Sequence, residues 1–138
     1  MKSGNEFEER VREIVADDPR FAVEAYVFVA EAVSYTTRRV AREETDKRHI
    51  SGQELLEGIR DLALKQFGPL TIDVLHEWGV RTTDDFGAVV FNLVNNGLLG
   101  ASEDDSPEDF SGGYDFREAF TRPFVETGAF PDDLPTID

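Results

Sequence analysis

Between residues 51 and 97 the chain carries helix starts and stops at such short intervals that a stack of brief helices is the economical way to fold it. "SGQE", residues 51 to 54, has the form of a capping box: Ser51 accepts from the backbone N–H of Glu54, and Glu54 reaches back to the N–H of Ser51. Leu55, Leu56, Ile59, Leu62, Ala63 and Phe67 then fall on one helical face. Gly68 suits the left-handed position after a helix, and Pro69 the first turn of the next. That next helix carries Leu70, Val74, Leu75 and Trp78 and ends at Gly79. Thr82 or Thr83 caps a third, in which Phe86, Val89, Val90, Leu93 and Val94 face inward and which Gly97 closes.

Upstream, Asn5 caps a first helix with Phe7, Val11, Ile14 and Val15 at helical spacing, stopped by "DDPR", residues 17 to 20. A longer helix is expected from about Pro19 to Arg42. Phe21, Ala25, Phe28, Ala32 and Tyr35 form one stripe, and Ala22, Tyr26, Val29 and Val33 the stripe beside it. Glu24, Glu31 and Arg38, seven apart, mark its one clearly polar edge. A helix so apolar around its girth is central to the fold or buried against a second subunit; the central placement is the simpler one. A charged connector, residues 38 to 49, leads to Ser51.

Downstream, "LLGAS" reads as a strand, "EDDSPEDFSGG" as a polar loop, and "GYDFREAF" as a returning strand or a short helix. Helix, tight turn, helix, then hairpin is the winged-helix order. The expected fold is therefore mainly α (α+β). One short and one long helix precede a winged-helix-like core of three short helices plus a small β-hairpin. Residues 1–124 form a single domain and 125–138 a Pro-punctuated C-terminal tail.

The run "HISGQELLEGIRDLALKQFGPL" through "VLHEWGVRTTDDFGAVVFNLVNNGLL", flanked by "DPRFAVEAYVFVAEAV" and "YDFREAF", resembles a family of small bacterial proteins without an assigned function. The resemblance covers about residues 19 to 124. It implies no activity, substrate or catalytic residue, so it places no role on any position.

Length, charge and composition narrow the function classes. A chain of 138 residues is one ordinary domain, able to bury a core without staples. There is no Cys, hence no disulfide, thiolate metal site or Cys nucleophile. The N-terminus lacks the apolar region of a secretory signal. The most apolar stretch, residues 21 to 35, is interrupted by Glu24 and Glu31 and is too short for a bilayer. The expectation is a soluble, cytoplasmic protein with no membrane partner. The formal net charge is −15, from 29 acids against 14 Lys and Arg. Such a surface repels phosphates at long range. It fits a salt-adapted coat as well as an acidic partner surface.

The helix over 83–96 has the position of a recognition helix but not its chemistry. From Thr82 to Phe116 there is no Lys or Arg, while Asp84, Asp85, Glu103, Asp104, Asp105, Glu108, Asp109 and Asp115 occupy the same span. DNA affinity rests on phosphate neutralisation by Lys and Arg. Asp84 and Asp85 are better explained as capping and helix-dipole residues. Two partner-facing surfaces follow: the face carrying Asn92, Asn95 and Asn96, and the exposed edge near Trp78.

The alternative is nucleic-acid contact through Arg38, Arg39, Arg42 and Arg48, weighed against a solvated helix end favoured by the dipole. "HEWG" begins like a zinc motif, but no second His follows, and His49 is expected to assist the start of the helix at Ser51. The acids of residues 103–109 do not follow the EF-hand pattern, which leaves a weak divalent-ion site against a solvated loop. No nucleophile-elbow, phosphate-loop or dinucleotide motif is present. These readings converge on a non-enzymatic protein-interaction or adaptor domain with no catalytic, cofactor or metal residues, binding an unknown protein partner or itself.

Overall fold

A computed structural model describes residues 2–43 and 49–126. Its helices are α1 (Lys2–Asp17), α2 (Val23–Glu43), α3 (Gly52–Phe67), α4 (Thr71–Glu77), α5 (Thr83–Asn95) and α6 (Arg122–Glu126). A short 3₁₀ turn, Gly68–Leu70, links α3 to α4; another, Pro107–Phe110, lies between α5 and α6, and a π-helical turn, Arg117–Thr121, runs into α6. The protein is mainly helical, and no strand occurs among the described residues.

The punctuation of residues 51–97 builds as its chemistry dictates. Ser51 and Glu54 form both hydrogen bonds of the capping box, at 3.0 and 2.9 Å. The carboxylate of Asp85 accepts the N–H of Arg81 at 2.8 Å and of Thr82 at 3.3 Å, which fixes the start of α5. The stop before α2 is longer than its pattern suggests: α2 begins at Val23 because Ala22 carries the first capping carbonyl, which accepts from Ala25 N–H. Helix α1 begins ahead of Asn5, which lies within it.

The apolar girth of α2 is explained by its central position, packed against α1, α3 and α5. Phe21, Tyr26, Val29, Ile59, Leu75, Val89 and Leu93 are among the fully buried side chains of the core. At the α2–α3 crossing Gly58 lies directly against Thr36, and a Cβ there would overlap the Thr36 hydroxyl.

The winged-helix-like core with its hairpin does not form. After α5, Gly97 takes a positive φ of 75°, and the N–H of Leu98 returns to the carbonyl of Leu93 at 2.9 Å. This wraps Leu98 and Leu99 onto the core instead of extending them. Phe110 then inserts against α5, where the bare Cα of Gly87 admits its Cβ. On the return, the Asp115 carboxylate accepts the N–H groups of Arg117 and Glu118 at 3.1 and 3.2 Å. That cap starts helix at the point where a second strand was expected. Phe116 and Phe120, four apart, both become buried, with rings 5.1 Å apart edge to face. Of the tail, residues beyond Glu126 lie outside the described ones.

Candidate partner-binding groove

The groove begins with the one polar edge of α2. Glu24 and Glu31 lie two helical turns apart, and Val27 falls between them on the same strip. Val27 is 38% exposed and gives this strip an accessible aliphatic side chain. Beneath it Phe28 turns inward and meets two rings from other elements: Phe67 at the end of α3 and Trp78 just past α4, each with centroids 5.7 Å from that of Phe28. Phe67 and Trp78 meet edge to face at 5.6 Å, which closes a three-ring cluster. Val23 and the facing side of α1, at Glu8 and Arg12, complete an open groove of about 540 Å³.

Trp78 is fixed by the backbone on both sides. Its carbonyl accepts the N–H of Ala22 at 3.0 Å, which ties the α4–α5 joint to the turn before α2. Gly79 follows with φ of 91°, and a Cβ there would overlap the Arg20 carbonyl oxygen. The indole is therefore held at the groove by a close approach of two chain segments that only glycine permits.

The groove has an apolar floor and an acidic rim. Among the described residues, Glu8, Glu24 and Glu31 face a single cation, Arg12, which pairs with Glu8 at 3.7 Å. Gln66 donates to Glu31 at 3.0 Å and orients that carboxylate without neutralising it. A little past Phe67, Leu70 is 61% exposed.

Of the candidate partner-binding and nucleic-acid-contact residues, Trp78 alone among the described residues belongs to this groove. The Asn92 amide donates to Asp18 and to the Tyr26 hydroxyl, both at 3.0 Å, tying α5 to the end of α1 and to α2. Arg20 also holds Asp18, through contacts of 2.8 and 2.7 Å. Those charged and amide hydrogen bonds keep the Asp18 carboxyl well below the usual carboxylate range, the guanidinium being the largest cause. Asn95 is exposed at the end of α5, and exposed Asn96 donates to the Asn92 carbonyl at 2.8 Å and accepts from Arg10.

Arg38 is exposed, while Arg39 pairs with Asp61 on α3 and lies over the Tyr35 ring. The Arg42 side chain and Arg48 lie outside the described residues. In the acidic loop, Asp105 accepts the Ser102 N–H at 2.8 Å and meets His49 Nε2 at 3.0 Å, and Asp109 accepts the Ser106 N–H at 3.1 Å. Those carboxylates cap backbone turns, and no cluster of three or more metal-ligating residues occurs among the described residues.

The sequence carried a signal for the groove that the stripe pattern hid. Phe28 and Phe67 read simply as core, and Val27 belonged to neither apolar stripe of α2. An aliphatic residue inside an otherwise polar edge was the clue. Among the described residues, no helix is long and apolar enough to cross a membrane. No protein-family model, curated protein or solved structure matches the chain.

Proposed function

We propose that this protein is a non-enzymatic interaction domain, and that its groove over Phe28, Phe67 and Trp78 receives a protein segment with an apolar anchor and basic flanks. The observation that carries the reading is the pairing of an exposed aliphatic residue, Val27, with an aromatic floor and a rim of three carboxylates against one guanidinium. An apolar side chain entering the groove covers Val27 and the ring edges. Lys or Arg on either side of it meets Glu8, Glu24 and Glu31. Charge complementarity favours a basic partner over a second copy of this chain, whose net charge of −15 opposes self-docking. The resemblance to small bacterial proteins stands beside this reading and adds no activity to it.

The experiment is binding of a dye-labelled amphipathic peptide of Leu and Lys to wild type and to Val27→Asp, followed by anisotropy. Val27 is at the surface, so the substitution leaves the core intact. The reading expects saturable binding that Val27→Asp weakens at least tenfold. Equal affinity for the two proteins would place the peptide elsewhere and refute it.

A further inference from the structure

On the far side of α2 from the indole groove lies a smaller cavity with a different character. It has a volume of about 150 Å³, is half open to solvent, and lies between α2, the start of α3, α5 and the loop that follows α5. Val33, Leu55, Val90, Val94 and Phe110 supply its apolar side, and Thr37 and Ser51 are polar neighbours in the lining. Asp105 and Asp109 line it too, as does the exposed His49. Each aspartate has Oδ2 engaged by a backbone N–H, from Ser102 and Ser106. The arrangement is held by structure rather than by a loose loop. His49 bridges to Asp105 across 56 positions of sequence, and Gly52 lets the Asp109 backbone approach α3, where a Cβ would stand 2.8 Å from the Asp109 Cβ.

We infer that this cavity binds a small organic cation, an amine on an aromatic or branched-aliphatic body, with the body among Val33, Leu55, Val90 and Phe110 and the ammonium at Asp105 and Asp109. Size and charge argue for this class separately. A half-open pocket of about 150 Å³, with aliphatic and aromatic side chains on one side and Asp105 and Asp109 on the other, has room for a body the size of one benzene ring. A neutral body of that size adds no charge to offset the two carboxylates in the lining, which beyond their turn-capping N–H groups and His49 face no cation among the described lining residues. A carboxylate-bearing ligand meets their repulsion and gains no cationic partner from the lining, apart from His49, which already faces Asp105. A backbone amide holds the Asp105 carboxyl below its usual range, with His49 a lesser contributor, so it is ionised to meet a cation. The site is independent of the indole groove, and no residue lines both.

Phenethylamine is the probe. Methyl-resolved NMR of the full chain follows Val33, Val90 and Val94 during titration at moderate salt, which screens non-specific attraction to the acidic surface. The expected result is a saturable shift confined to these methyls, with Kd below about 5 mM, as befits a ligand of this few atoms. Ethylammonium, which has the charge without the body, and benzyl alcohol, the body without the charge, should each bind at least tenfold more weakly. Asp105→Asn should weaken phenethylamine fivefold or more and leave benzyl alcohol unchanged. Val33→Phe, which fills the cavity, should abolish the response in a protein whose spectrum otherwise stays folded. No saturable shift at these methyls would overturn the site. Equal binding of benzyl alcohol, or indifference to Asp105→Asn, would overturn the cationic class.

Discussion

The N–H of Ala22 donates to the carbonyl of Trp78 at 3.0 Å, so the indole at the groove is positioned by backbone from a segment 56 residues earlier in the chain. Gly79 makes that approach possible through its positive φ and its missing Cβ. Gly79→Ala imposes both a strained φ and an overlap with the Arg20 carbonyl. It is expected to destabilise the fold by about 2 kcal/mol or more. Urea unfolding checks the loss, and a shift in Trp78 emission in the folded baseline checks that the groove has moved.

The α2–α3 crossing makes a sharper claim, because its two residues predict opposite signs. Gly58→Ala drives a Cβ into Thr36 and should cost about 1–3 kcal/mol. The Thr36 hydroxyl is buried and has no hydrogen-bond partner among the described residues. Thr36→Val, which removes a desolvated polar atom at nearly constant shape, should be neutral or stabilising. In a Thr36→Ala background Gly58→Ala should cost less than it does alone, and a double-mutant cycle in chemical denaturation reads that coupling.

The Asp18, Arg20, Asn92 and Tyr26 cluster sets the acid limb of stability. The Asp18 carboxyl is depressed in the folded protein, so its contribution is complete above the ordinary aspartate value of about 4 and is lost as pH falls below it. Asp18→Asn should cost about 1–2 kcal/mol at pH 7, through weaker bonds to Arg20 and Asn92. The gap between variant and wild type should stay level down to about pH 5 and then narrow with further acidification. Thermal melts from pH 7 to pH 3 measure it.

Nucleic acid is the partner class that the charge opposes. Of the four arginines proposed as a contact, Arg39 is already committed to Asp61 and Tyr35, and Arg38 stands exposed beside it. Duplex DNA and single-stranded RNA in an anisotropy titration should show no saturable binding at about 0.15 M salt. Steeply salt-dependent binding that disappears on replacing Arg38 and Arg39 by Glu would instead establish the arginine face as a nucleic-acid contact.

The helical half of the fold was legible because its signals are local. Ser51 with Glu54 needs only a few neighbouring residues to act and forms as read, whereas Gly68 takes the expected positive φ but with ψ of −133°, and Pro69 enters a 3₁₀ turn rather than the first turn of α4. The hairpin was misread because its evidence was weak alternation, which Tyr114, Phe116 and Phe120 satisfy equally as helix. The Asp115 cap and the ring packing of Phe116 on Phe120 decide for helix, and that packing depends on tertiary contacts. The groove was half legible. Trp78 was visible as a candidate, but its partners Phe28 and Phe67 come from elements far apart in sequence, and no periodicity reports which core rings remain accessible at an edge. Asn92 looked like a surface reader and is a strut between helices, a role set by Asp18 and Tyr26.

Trp78 is the chain's one tryptophan and lies in the groove itself, so its emission tests the central claim without a label. The measurement is a titration with an unlabelled amphipathic Leu/Lys peptide, beside a Leu/Glu peptide of equal length. The account predicts a saturable blue shift with the basic peptide, weakened by salt, and none with the acidic one. An unchanged spectrum under the basic peptide, or an equal response to both, would contradict it.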